Sequence, residues 1–91
     1  MAHYFIAYDL TNASQERYQE IEDLIESLGT ALHLQYSVFY LRSNMEIVAL
    51  RNTIGAKINK NEKLLVIQAS NAIGKGHGTD WDTLLTLWKQ P

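Results

Sequence analysis

The chain predicts an α+β domain: an antiparallel sheet with helices on one face, in the order strand, helix, strand, strand, helix, strand, and a short C-terminal helix. Three observations carry this expectation. Three β-prone apolar runs, at 3–10, 31–41 and 63–69, alternate with two segments of helical periodicity. The middle run changes its alternation phase halfway, so it reads as two strands. And 91 residues give one domain, 1–91, with no room for a second core. Its core spans about 3–69, and 70–91 form a loop and a helix.

Residues 3–10 are aromatic and apolar and run into the polar turn Thr11-Asn12-Ala13, as expected of a buried strand. Tyr18, Ile21, Leu24, Ile25 and Leu28 then recur at helical spacing, with Glu20, Glu22, Asp23 and Glu26 largely off that stripe. Asn12 or Ser14 is placed to cap the start, and Gly29 to close the end in a left-handed conformation. In the run 31–41, Leu32 and Leu34 share one parity while Phe39 and Leu41 share the other. A one-residue slip flips every side chain across a sheet. The change therefore predicts a bulge or tight corner between Gln35 and Ser37. Ser43-Asn44-Met45-Glu46 matches a capping box. A helix through about Asn59 follows, with Ile47, Leu50, Ile54 and Ile58 inward and Gly55 either a close approach to the sheet or simply tolerated. After the turn Asn59-Lys60-Asn61-Glu62 comes the last strand. Trp81, Leu84, Leu85 and Trp88 form a final helical stripe, core or dimer contact.

That order is the split βαβ arrangement of the ferredoxin-like fold. A domain this small buries only roughly 60–65% of its surface, so pairing with a second copy would help it. There is no cysteine, which removes disulfides and thiolate metal ligands. No apolar run approaches bilayer length, and the N-terminus lacks the marks of a signal peptide. Both point to a cytoplasmic protein with no membrane contact. The net charge of −2 conceals an asymmetry: one base against six acids in residues 1–41, seven against four in 42–91. The strong basic footprint usual for nucleic-acid binding is absent from the whole chain.

Asp9 ends the first strand where the chain turns toward a helix, a position that suits either chemistry or capping of the loop or first helix. Arg17 lies within reach of helix acids three or four residues on, such as Glu20, as a surface pair. For Ser37 and Phe39 corner geometry and core packing suffice. His33 has no second ligand at metal spacing. Gly74-Lys75-Gly76-His77-Gly78 lacks the spacing and ending of a P-loop and reads as a flexible connector.

Tyr8-Asp9-Leu10 at a strand end, an arginine early in the next helix, and Gln35-x-Ser37-Val38-Phe39 resemble the family of the second CRISPR-associated protein, with its VapD-type toxin and SinR-like relatives. The resemblance covers about residues 3–69. It implies a homodimer in which Asp9 of two subunits holds Mg²⁺ or Mn²⁺ for phosphodiester hydrolysis of RNA or DNA. Arg17, Ser37 and Phe39 match the catalytic-site positions around it. In the toxin-like relatives an antitoxin or other protein partner is also implied, and the glycine loop would carry the tail over to the partner subunit. Three departures favour the VapD-like or SinR-like branches: the mild acidity, Tyr40 in place of a carboxylate after Val-Phe, and a helix where a last strand is usual. A non-catalytic homodimeric binding or regulatory protein on the same scaffold is the alternative.

Overall fold

The computed structural model describes residues 1–90; Pro91, the end of the expected tail, lies outside the described residues. The elements are β1 (Ala2–Asp9), α1 (Gln15–Ser27), β2 (Thr30–Gln35), β3 (Val38–Ser43), α2 (Ile47–Gly55), β4 (Lys63–Gln68) and α3 (Thr79–Trp88). The strands form one sheet in the order β2-β3-β1-β4, and every neighbouring pair is antiparallel. This is the ferredoxin-like arrangement expected from the order of elements.

The two faces of the sheet follow from alternation along β1. Tyr4, Ile6 and Tyr8 point to one side and are buried there with Phe39 and Leu41 of β3. Ile21 and Ile25 of α1 and Leu50 and Ile54 of α2 close that core. His3, Phe5, Ala7 and Asp9 point to the other side. There α3 returns onto its own sheet: the Trp88 ring stacks on His3 at 4.1 Å and 7°, and lies 5.7 Å from Tyr40. The amphipathic stripe of the tail thus lies on the sheet of its own chain. The apolar sheet face beneath it, with Phe5 and Tyr40, is near enough to bury Leu84 fully. Coverage is partial, because Leu65 and Ile67 of β4 remain 57% and 45% exposed.

The corner at 35–37 is a tight turn. β2 ends at Gln35, β3 begins at Val38, and the register shifts between His33 and Gln35. The amide of Tyr8 donates to the Ser37 carbonyl (3.1 Å), tying this turn to the end of β1.

Two local expectations are corrected, and one left open is decided. Ser14, one of the two expected caps, does accept the Arg17 amide, but Gly29 is not in the left-handed region; the helix ends on Leu28 at φ −93. Glycine is needed at 29 because a Cβ there would lie 2.2 Å from the Arg42 carbonyl oxygen. The capping box does not form either. Ser43 belongs to β3, its hydroxyl donates to the Leu28 carbonyl (2.7 Å) and accepts from the Met45 amide (3.1 Å), and α2 starts only at Ile47. Gly55 is tolerated: an added Cβ would meet Leu64 at an ordinary 3.9 Å.

Candidate functional site

Asp9 is the last residue of β1, the central strand, and stands on the half-covered face of the sheet. Its register partner on β4 is Lys63. The strand end, the Tyr36–Ser37 turn and the start of β4 together enclose a shallow depression of about 490 Å³, lined by Asp9, Ser37, Val38, Lys63 and Leu65 among others. Of the residues expected at a site, the structure therefore brings Asp9 and Ser37 together.

The Asp9 carboxylate is exposed, and among the described residues nothing hydrogen-bonds or ion-pairs with it. The capping role open to it from sequence is filled by other groups. Ser14 caps α1, and the loop after β1 is held by Glu62. The Glu62 carboxylate accepts from the Thr11 amide (2.9 Å), the Asn59 amide (2.8 Å) and the two terminal guanidinium nitrogens of Arg17. Arg17 also donates to the Lys57 carbonyl at 2.7 Å. This latch clamps α1 and the β1–α1 loop to the turn before β4.

The charge-assisted bonds from Arg17 and then the two backbone donors hold the Glu62 carboxyl at about 2, far below its usual value. The same pairing raises the Arg17 pKa. The expected pairing of Arg17 with Glu20 is thus replaced by a partner 45 residues away. Glu20, the helix acid three residues on, lies on the exposed surface 3.6 Å from Lys57 Nζ, while Glu62 comes with two backbone donors already aimed at it.

Phe39 lies on the opposite face from Asp9, 1% exposed in the core, with the His33 ring stacked on it at 4.4 Å and 8°. Arg17 and Phe39 are therefore not part of the Asp9 depression. Lys63 and Glu62, which border it or hold its loop, carry no signal in the sequence, because they stand in a turn and strand start without a motif.

A metal ion would find one carboxylate here per chain. Among the described residues no group of three or more His, Cys, Asp or Glu side chains is placed to hold one. Asp9 is a hard oxygen donor suited to Mg²⁺ or Mn²⁺, but a complete ligand set needs donors from a second copy or from a substrate. No helix among the described residues is long and apolar enough to cross a membrane.

The family model described as CRISPR associated protein Cas2 matches residues 1–73. That span contains all four strands, both helices of the core, Asp9, and the Gln35–Phe39 string, and stops in the loop before α3. No curated protein matches the chain.

Proposed function

The chain belongs to the CRISPR associated protein Cas2 family, and on that footing we propose that it is a divalent-metal-dependent endoribonuclease working as a homodimer. The observation that supports this reading most is the Asp9 carboxylate, exposed at the end of the central strand and free of hydrogen bonds and ion pairs among the described residues. A structural aspartate at a strand end ordinarily has a loop or helix donor to accept. This one has been relieved of that work by Ser14 and Glu62.

Two copies meeting at this end of the sheet would bring two Asp9 carboxylates to one Mg²⁺ or Mn²⁺, with substrate phosphate oxygens completing the ligand set. When bound, such an ion polarises a phosphate and lowers the pKa of a water. The chain's own residues supply the rest. Asp9 orients the site, the Lys63 ammonium beside it attracts the phosphodiester, and the Ser37 hydroxyl is available to donate to a phosphate oxygen. Arg17 acts at one remove, as a positioning residue through Glu62. Phe39 packs in the core under the His33 ring and takes no part at this end of the sheet.

The test is cleavage of single-stranded RNA in Mg²⁺ or Mn²⁺ by wild type and Asp9→Asn, with light scattering to give the assembly. Cleavage by a dimeric wild type, lost in the variant and in chelator, is expected. Equal cleavage by both proteins, or none by wild type, overturns the reading. The single carboxylate per chain supports a second one: a non-catalytic homodimer that binds nucleic acid or a protein. Salt-dependent RNA binding without cleavage would select it. A toxin-like role with an antitoxin partner would show as growth arrest on expression, relieved by Asp9→Asn.

A further inference from the structure

The sheet holds α3 by few contacts. Leu84 is its one buried residue. Its C-terminal end rests on an aromatic cluster, with the Trp88 ring 4.1 Å from His3, 5.7 Å from Tyr40 and 6.1 Å from Phe5. The connection from β4 passes through Gly76 and Gly78, both at positive φ. An element with so little buried apolar surface is of the kind that opens locally while the rest of a domain stays folded.

His3 lies at the centre of that hold. Its Nδ1 atom stands 2.7 Å from the Tyr40 hydroxyl. Tyr40 is fully buried, and among the described residues its hydroxyl has no other partner. Burial raises the pKa of this phenol, so it keeps its proton and donates, and Nδ1 accepts as the lone pair of a neutral ring. A proton on Nδ1 would strand the Tyr40 O–H inside the closed cluster with no acceptor. Charge adds to that cost. Arg42 of β3 is the direct cross-strand partner of His3, where like charges oppose each other, and the amino terminus of the chain is a second positive neighbour. From α3 the ring is faced by the Trp88 indole, and no carboxylate pairs with it among the described residues. Burial first, then Arg42 and the amino terminus, hold the His3 pKa below its ordinary 6.5. A charged imidazole gains some attraction for an indole face, yet every other group around the ring opposes the charge.

We propose that α3 is a pH-sensitive lid on this face of the sheet, closed on a neutral His3 and opened by its protonation. Opening returns the Tyr40 hydroxyl to water and lets solvent screen the imidazolium from Arg42, so the charged ring is tolerated in the open form. What closure takes from the proton affinity of His3, protonation takes from closure. Closure is at full strength above about pH 6.5 and weakens as pH falls through the lowered value of the closed form. An open lid uncovers Phe5 and Tyr40 beside Leu65 and Ile67, which are already exposed. The face on which Asp9 stands then becomes one apolar surface. This device is independent of the endoribonuclease reading.

The experiment follows Trp88 alone, by acrylamide quenching of the full chain carrying Trp81→Phe, between about pH 8 and pH 5, a range that brackets an ordinary imidazole. Far-ultraviolet circular dichroism establishes that the sheet and core helices stay folded there, and the Glu62 carboxyl, at about 2, titrates well below the range. The closed-to-open ratio is expected to fall at least about threefold across it, the effect of half a pKa unit. Binding of a dye that reports exposed apolar surface should rise with the same midpoint. His3→Phe keeps a ring against Trp88 but takes no proton, and should hold the lid closed throughout. His3→Gln, which can still accept from Tyr40, should do the same. Quenching of Trp88 that is flat with pH, a response that survives in both His3 variants, or one abolished by His33→Gln or His77→Gln instead would each overturn the proposal. So would a lid already open at about pH 8 in both His3 variants, which would make His3 a packing group only.

Discussion

The two faces of the sheet are built from the same strands and have opposite characters. Toward α1 and α2, Tyr4, Ile6, Tyr8, Phe39 and Leu41 are all at most 2% exposed, and on that side of the molecule the Glu62 carboxylate is held by hydrogen bonds from Arg17, Thr11 and Asn59. Toward α3, only the part under Trp88 and Leu84 is covered. Leu65 and Ile67 remain open, and Asp9 has no partner among the described residues. Stability is concentrated on the first face and available chemistry on the second. A satisfied carboxylate holds a loop in place; an unsatisfied one at a strand end is free to bind something else.

Substitutions ranked by their effect on stability should therefore separate the faces. The largest loss is expected from Phe39→Ala, about 3–5 kcal/mol, because it opens a cavity between the sheet and α1 and removes the ring on which His33 stacks. Urea unfolding measures it. A loss below about 1 kcal/mol would show that the helix-facing side is not the main source of stability.

Glu62→Gln comes next. It leaves the Arg17 guanidinium without its carboxylate and weakens the hold on the Thr11 and Asn59 amides. Its folded pKa, about 2 against an ordinary 4.5, also fixes a pH window. The stabilisation is complete above about pH 4.5 and is lost as pH falls through about 2. Wild type should lose stability steeply across that range, and Glu62→Gln should flatten the acid limb. An acid limb of equal steepness in both proteins would assign it to other carboxylates.

Much of this division is legible in the sequence, and what is not has a common cause. The order of elements, the phase change at Gln35–Ser37 and the apolar stripe of α3 all rest on periodicity, which is local. The partner of Arg17 is not local. Glu20 is adjacent on the helix, while Glu62 is 45 residues away, and only the fold brings its backbone donors alongside. Ser43 matched a capping box by spacing, yet Leu28, which comes near only once β3 lies beside the end of α1, takes its hydroxyl. Gly29 stands where a cap belongs by sequence, but its constraint is the Arg42 carbonyl on β3. The stripe on α3 revealed an apolar face without saying which surface it covers.

On the half-covered face the expected losses are smaller. Trp88→Ala removes the ring stacked on His3 and lying near Phe5 and Tyr40 and should cost about 1–3 kcal/mol. The loss should also bring the His3 pKa back up toward its ordinary value, since burial is the main cause of its depression, followed by Arg42. NMR titration of His3 reads this directly. An unchanged titration would place the desolvation in Tyr40 and the strand, and not in α3.

Asp9→Asn stands at the bottom of the series, and there the comparison is sharpest. The carboxylate accepts nothing among the described residues, so replacing one oxygen with an amide removes no native bond. The melting temperature should stay within error of wild type, as for surface changes that touch no special feature. RNA cleavage should nevertheless fall on the order of a hundredfold or more, the scale of losing a charge that acts on a developing transition state. A carboxylate whose loss destabilised the fold as much as Glu62→Gln would be a structural group after all. One whose loss changed neither stability nor cleavage would leave the bare face with no chemistry at this end. Only unchanged stability with lost cleavage fits a residue that the latch on the opposite side has freed from structural duty.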